Sequence, residues 1–369
     1  MAHAAEPGRP PDVRDRLARA SQEMKAGKLS AALADLDAAA RIAPGNPEVH
    51  RRLAALFARA GYLDREIDEM ETILRLAPKD ADTALQLSQI YLQLGWLPEA
   101  RARLVQGARV APNDVRVFLI LATQAYMRFM YPQMEQAASE GLRRWPDNVR
   151  LTTILSEAER LQGHLPQAES LLRHAIAAAK NRSQREADLV GFAHLLLDKG
   201  WKPPRYQEAE QAARAALKLA PSDPEAHYWL GRALQLQGRD AQAIPEYAFT
   251  ARQNPRFETV ALYLGRLYVR SSNTALRARG TSLLALYDHE QSVADHLDVA
   301  RTALREHPEQ PEPHAKMAAV YMETNQIPEA IVELRRVLRM RPQDKKTRSL
   351  LVRALKAVGR NTEALAYAR

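Results

Sequence analysis

Few residues in this chain could do chemistry, so the first question is whether any of them stand close enough to act together. His289-Glu290 followed by His296 comes nearest to a zinc-binding helix, in which two histidines four residues apart face one metal. Here they are seven apart. On a helix that is about 10 Å along the axis, too far for both rings to reach one zinc. Asp288, Asp295 and Asp298 nearby would make a loose cation site, but a solvated helical face is the simpler reading. Cysteine is absent, which removes thiolate metal sites, disulfides and cysteine nucleophiles. No phosphate-binding P-loop, Gly-x-Gly-x-x-Gly turn or Gly-x-Ser-x-Gly elbow occurs. His50, His164, His174, His194 and His227 read as isolated surface or packing residues. The expectation is a protein with no enzymatic activity, no metal and no cofactor.

Composition agrees with a packed helical chain. The 369 residues are 46% hydrophobic and 26% charged but only 6% aromatic, and alanine fills the apolar stretches, which suits close helix-on-helix packing. No uninterrupted apolar run of about 18 residues is present, so a membrane-spanning helix is not expected. The start, MAHAAEPGRPPD, lacks the apolar centre of a signal peptide, although Ala2-His3-Ala4 would fit the end of a cleaved leader. The compartment is left between cytoplasm and, with a removed leader, periplasm. A net charge of +9 would suit an acidic partner. Arginine supplies 42 of the 53 basic residues, however, and these read as scattered among 44 acids, so charge alone does not argue for nucleic acid.

What positions the residues is a period. Prolines 44, 78, 112 and 146 are each 34 residues apart, and Pro221, Pro255, Pro308 and Pro342 continue with spacings of 34, 53 and 34. Small residues return at one offset (Ala20, Ala54, Ser88, Ala122, Ser156, Ala193, Gly231, Gly265, Ala318). Glycine or a substitute follows seven residues later in most periods (Gly27, Gly61, Gly95, Gly163, Gly200, Gly238, Asn325). Between these marks apolar residues keep i, i+3, i+4, i+7 spacing, with no period-two alternation. Two helices of about 14 residues approach closely only where side chains shrink, and glycine permits the positive φ of a helix C-terminal turn. Asn46, Asp80, Asp114 and Asn148 are placed to cap the next helix, with Pro47 and Pro224 at tolerated first-turn positions.

These residues resemble the tetratricopeptide repeat (TPR) family. The fullest match, EAHYWLGRALQLQGRDAQAIPEYAFTARQNP at 225–255, carries Leu230-Gly231, Leu234, Gly238, Ala243, Tyr247 and Pro255 at the family's offsets; 261–269 and 314–342 match nearly as well. The resemblance implies an all-α, right-handed superhelical α-solenoid of about ten helix pairs with an extra helix around 274–306. Repeats are expected near 13–46, 47–80, 81–114, 115–148, 149–182, 186–223, 224–257, an irregular 258–310, 311–344 and a partial 345–369, after a disordered tail at 1–12. The irregular stretch reads as three helices, at 258–270, about 274–287 and about 290–306.

The resemblance also implies a concave groove lined by the first helix of each pair. Carried to this sequence, the groove positions hold Leu85, Gln89 and Leu92 beside Leu119, Thr123 and Tyr126, an apolar patch, and further on Tyr228, Arg232, Leu262, Arg266 and Arg270, an aromatic and arginine patch. Contiguous apolar surface marks binding sites, and guanidinium groups beside aromatic rings suit a carboxylate-bearing or acidic peptide. The lysine–asparagine carboxylate clamp of chaperone-binding relatives is absent: its places hold Leu17 and Ser21, then Arg51 and Ala55. The implied function is a non-catalytic scaffold binding a peptide or protein segment, with a bacterial secretion, envelope or polysaccharide assembly as the setting by analogy. RNA binding in the manner of pentatricopeptide repeats is the alternative, against which Leu17, Arg51, Leu85, Leu119 and Thr153 form no base code. Self-assembly through the last helix, on Ala364, Leu365 and Ala368, is the third reading.

Overall fold

The computed structural model describes residues 12–257 and 259–368, and every regular element among them is a helix. The tail expected at 1–12 lies outside the described residues apart from Asp12, whose carboxylate caps the first helix by accepting from the Asp15 N–H at 2.9 Å. The chain divides into two compact units: residues 1–112 with 296–369, and residues 113–295.

In the first unit, α1 (Val13–Lys25), α2 (Leu29–Ile42), α3 (Pro47–Ala60), α4 (Leu63–Leu76), α5 (Ala81–Gln93) and α6 (Leu97–Val110) form three antiparallel pairs. Asn46 and Asp80 cap α3 and α5 through the N–H groups of Glu48 and Thr83, both at 3.0 Å. Gly61 ends α3 at φ 72°. The pairs are held closely by knobs against glycine: a Cβ added at Gly107 of α6 would lie 2.8 Å from Leu85 of α5, so Leu85 fills the notch that this glycine leaves. The same unit contains α17 (Pro311–Glu323), α18 (Ile327–Met340), α19 (Lys345–Ala357) and α20 (Asn361–Ala368), and α18 packs directly on α4.

The second unit runs through α7 (Val115–Met127), α8 (Tyr131–Arg144), α9 (Val149–Leu161), α10 (Leu165–Ala178), α11 (Arg182–Leu196), α12 (Tyr206–Leu219), α13 (Pro224–Leu236), α14 (Asp240–Gln253) and α15 (Val260–Val269). Its core is rich in alanine, with Phe192, Tyr228, Trp229, Tyr247 and Tyr268 as the large rings. Tyr247 lies where a Cβ on Gly231 would come within 2.8 Å of its ring, which is why that position must be glycine. The long connection before α12 is closed locally: the Trp201 indole donates to the Leu195 carbonyl at 2.9 Å, and the Arg205 guanidinium lies 4.7 Å from the Trp201 ring. Gly200, grouped with the turn glycines by sequence, is not among the glycines with positive φ.

Two helices, not three, occupy the irregular stretch. After α15, a single helix α16 (Thr274–Glu306) runs unbroken for 33 residues. It contains no proline, and Gly280 is retained because a Cβ there would lie 2.8 Å from the Val269 backbone nitrogen and 2.9 Å from the Gly265 carbonyl, so the backbones of α15 and α16 cross at two glycines. No helix among the described residues is long and apolar enough to cross a membrane.

Candidate functional site

In the second unit, α13, α14 and α15 assemble the aromatic and arginine face. The Arg232 guanidinium sits 3.8 Å from the centre of the Tyr263 ring and donates to the Gln235 side chain at 2.9 Å. Tyr263 in turn stacks on Tyr247, whose hydroxyl also donates to Gln235 at 2.8 Å. Arg232 is therefore held flat by Tyr263 of α15 and by Gln235 of its own helix, an order that would lower the entropic cost of gripping a ligand. Tyr228 turns inward, its hydroxyl 2.8 Å from that of Thr259 and its ring edge-on to Trp229 and Phe257. Trp229 stacks on His194 at 4.2 Å, and burial, with the charge of Arg160, holds the His194 pKa below its ordinary value. Leu262 is half-buried, whereas Arg266 and Arg270 are exposed and have no acceptor among the described residues. Arg232 and Arg266 stand one repeat apart, 34 residues, so the next helix repeats the guanidinium.

The apolar groove patch is not realised as expected. In the first unit Leu85 and Leu92 are buried at 0% and 3% exposure, leaving Gln89 as the open one of the three on α5. In the second unit Leu119 is half-buried, while Thr123 and Tyr126 are exposed. Tyr228 is buried as well, at 3%. The physical reason is the same for Leu85 and Tyr228. The fifth place of the first helix lies at the edge of the helix-pair interface, and an apolar side chain there turns wholly inward (Leu85, Tyr228) or partly so (Leu17, Leu119), whereas polar Arg51 and Thr153 at the same place stay outside. The ninth and thirteenth places carry the open surface: Gln89, Thr123 and Arg266 at the ninth, Arg59 and Arg270 at the thirteenth.

The histidines are not isolated. His50, His227 and His314 each place Nδ1 2.6 Å from the carboxylate of Glu69, Glu246 and Glu333, always 19 residues later on the second helix. Each also sets Nε2 2.9–3.0 Å from the carbonyl of the proline six residues before it, Pro44, Pro221 and Pro308. One imidazole thus ties the inter-repeat turn to the second helix in three repeats. For His227, burial lowers the pKa, but the bonds to Glu246 and to the Pro221 carbonyl outweigh it and the pKa is raised. His164 bonds Glu159 at 2.8 Å. The 19-residue spacing of His and Glu is visible in the sequence and was the signal for these pairs. His289 and His296 lie on α16, and no group of three histidine, aspartate or glutamate side chains among the described residues is arranged to hold a metal.

The first unit contains a polar network that no periodic pattern announces. Asp64 of α4 takes both terminal nitrogens of Arg360 and, at 2.6 Å, the Nη1 of Arg335. Glu363 closes the cluster by accepting from Arg335 and Arg360. Nearby, the Trp96 indole donates to the fully buried Glu333 at 2.8 Å, Trp96 stands edge-on to His314, and Arg336 reaches both the Trp96 ring and Glu99. Burial pushes the Glu333 pKa up, against the bonds from His314 and Trp96 that hold it down. Ala364, expected to be partly open, is buried at 0% against Leu351, Ala354 and Leu355, while Leu365 is 62% exposed.

Serial antiparallel helix pairs, glycine-ended and capped at a fixed offset, define a helical-repeat protein. The sequence model of the tetratricopeptide repeat matches residues 17–81 and 204–256, and a second model of the same repeat matches 293–351. The chain is a tetratricopeptide repeat protein. Among solved structures it is similar to a tetratricopeptide repeat protein from Parabacteroides merdae, at TM-score 0.58 and 16% identity over 69% of this chain and 98% of that one. PilF of Pseudomonas aeruginosa aligns at TM-score 0.45 and 16% identity, over 67% and 96% of the two chains. Human IFIT1, as a dimer with m7Gppp-AAAA, aligns at TM-score 0.48 and 18% identity, over 98% and 89%. None of the curated proteins matches this chain in sequence.

Proposed function

We propose that the protein is a non-catalytic interaction scaffold that holds an acidic or carboxylate-bearing peptide against the α13–α15 face of its second unit. The observation that carries this reading is Arg232 fixed flat on Tyr263, with Arg266 and Arg270 on the next first helix exposed and unpaired among the described residues. Guanidinium groups already ordered by stacking bind carboxylates through paired hydrogen bonds at little further entropic cost. Thr123 and Tyr126 on α7, and Gln89 on α5, are the other open positions of the predicted groove. A setting in bacterial secretion, envelope or polysaccharide assembly rests on the family resemblance alone. Leu365 and Ala368, both exposed, are what remain to support self-association through α20, and light scattering showing a monomer at high micromolar concentration would remove that support.

The test is a competition between ligand classes across salt. Acidic peptides should compete with one another and keep measurable affinity above physiological salt. Single-stranded RNA binding that collapses over that range would be nonspecific charge, while sequence-selective RNA binding that survives it would overturn the peptide reading.

A further inference from the structure

The most concentrated positive charge in the chain lies in the first unit. Between residues 335 and 348, seven basic side chains stand against one acid, Asp344. Three of the seven are neutralised by carboxylates: Arg335 by Asp64 and Glu363, Arg336 by Glu99, and Arg341 by Glu312. Lys345, Lys346 and Arg339 have no partner among the described residues, and Arg348 makes only a bond to the Pro342 carbonyl, at 2.7 Å.

Two of these, Arg339 and Arg348, line a cavity of about 480 Å³ between α18, α19 and α20. Arg335, Arg339 and Arg348 line it together with Leu338, Pro342 and Tyr367, and no carboxylate is among the lining residues described. Arg335 spends both terminal nitrogens on Asp64 and Glu363, yet its Nε is buried and has no acceptor. The side chain is only 11% exposed, so a buried donor is left unsatisfied at the wall of a cationic cavity. Such a donor costs stability unless something supplies an acceptor.

We infer that this cavity is an anion site for the phosphoryl group of a small molecule. Three guanidinium groups from two helices approach one space, and the Tyr367 ring forms another wall. A tetrahedral dianion offers acceptor lone pairs in several directions at once, which matches this arrangement better than the single plane of a carboxylate. Arg348, tied to Pro342, supplies a fixed edge, while exposed Arg339 is able to close over the ligand.

Isothermal titration of the full chain at low ionic strength, with inorganic phosphate and then pyrophosphate, tests this. Wild type should bind both, pyrophosphate more tightly, and acetate far more weakly. R339Q/R348Q should bind about tenfold or more weakly while keeping the wild-type melting temperature, since neither side chain holds a carboxylate. R266Q/R270Q, in the face proposed for peptide, should bind phosphate as wild type does. Absence of binding, equal binding by R339Q/R348Q, or acetate bound as tightly as phosphate would overturn the assignment. Peptide binding lost in R266Q/R270Q alone would leave it intact, which keeps the two proposals separable.

Discussion

The guanidinium of Arg360 lies across the carboxylate of Asp64, Nη1 to Oδ1 at 2.6 Å and Nη2 to Oδ2 at 2.9 Å, although the two residues are 296 positions apart in the chain. Both side chains are nearly buried, at 5% and 4% exposure. A repeat protein draws most of its stability from contacts between neighbours in sequence. This pair adds a contact within the first unit between its second repeat and its last.

Truncating Arg360 leaves two carboxylates, Asp64 and Glu363, to share the single guanidinium of Arg335 in a nearly buried cluster. Arg360→Ala should therefore lower the stability of the first unit by about 3–5 kcal/mol, read by urea unfolding. A loss below about 1 kcal/mol would mean that the pair is hydrated and adds little. The pH dependence has a definite sign. Burial raises the Asp64 pKa, but Arg360 and Arg335 together hold it below its ordinary value of 3.8. Its contribution is thus fully present above about pH 4 and is lost as the pH falls through the lower folded value.

Asp188 of α11 is the opposite case. It is 2% exposed, and neither carboxylate oxygen has a hydrogen-bond partner. Its places in other repeats hold buried Val49, Thr83, Val117, Leu151 and Ala226. Burial pushes its pKa up to about 6 from 3.8. An acid with a raised folded pKa favours the fold while protonated, so wild-type stability is highest below its unfolded value and falls as the pH rises through about 6. Asp188→Val should stabilise the second unit by about 1–3 kcal/mol near neutral pH, with the gain shrinking at acid pH. Thermal melts across that range read it, and a gain independent of pH would contradict the account.

Phe129 sits at φ 57° in the turn between α7 and α8, where other turns carry Gly27, Gly61, Gly95, Gly163 and Gly238 at φ 72–84°. A bulky side chain is strained there, and 72% exposure leaves the ring little packing in return. Phe129→Gly should raise stability by about 0.5–1 kcal/mol, measured by differential scanning calorimetry. Destabilisation instead would show that the ring contributes packing despite its exposure.

Much of the fold was legible because a 34-residue period constrains local choices in every repeat. Prolines, capping Asn and Asp, turn glycines and small interface residues all point to the same helix pairs. Three things were not. The break assumed near 288 had no proline or glycine to cause it, so α16 runs on. The phase of the fifth place depends on whether its side chain is apolar, so Leu85 and Tyr228 left the surface that pattern assigned them. The pairing of Asp64 with Arg360 joins repeats far apart in sequence, and periodicity reports only on neighbours.

The central claim concerns the guanidinium face on α13 and α15. The most direct measurement is the fluorescence anisotropy of a labelled peptide of alternating Glu and Leu with a free C-terminal carboxylate, titrated with wild type and with Arg266→Glu/Arg270→Glu. Both substituted side chains are exposed and unpaired, so the fold should be unaffected. The account predicts saturable binding by wild type, still measurable above physiological salt, and at least about tenfold weaker binding by the variant. Equal affinity for the two proteins, or no binding by either, would contradict it.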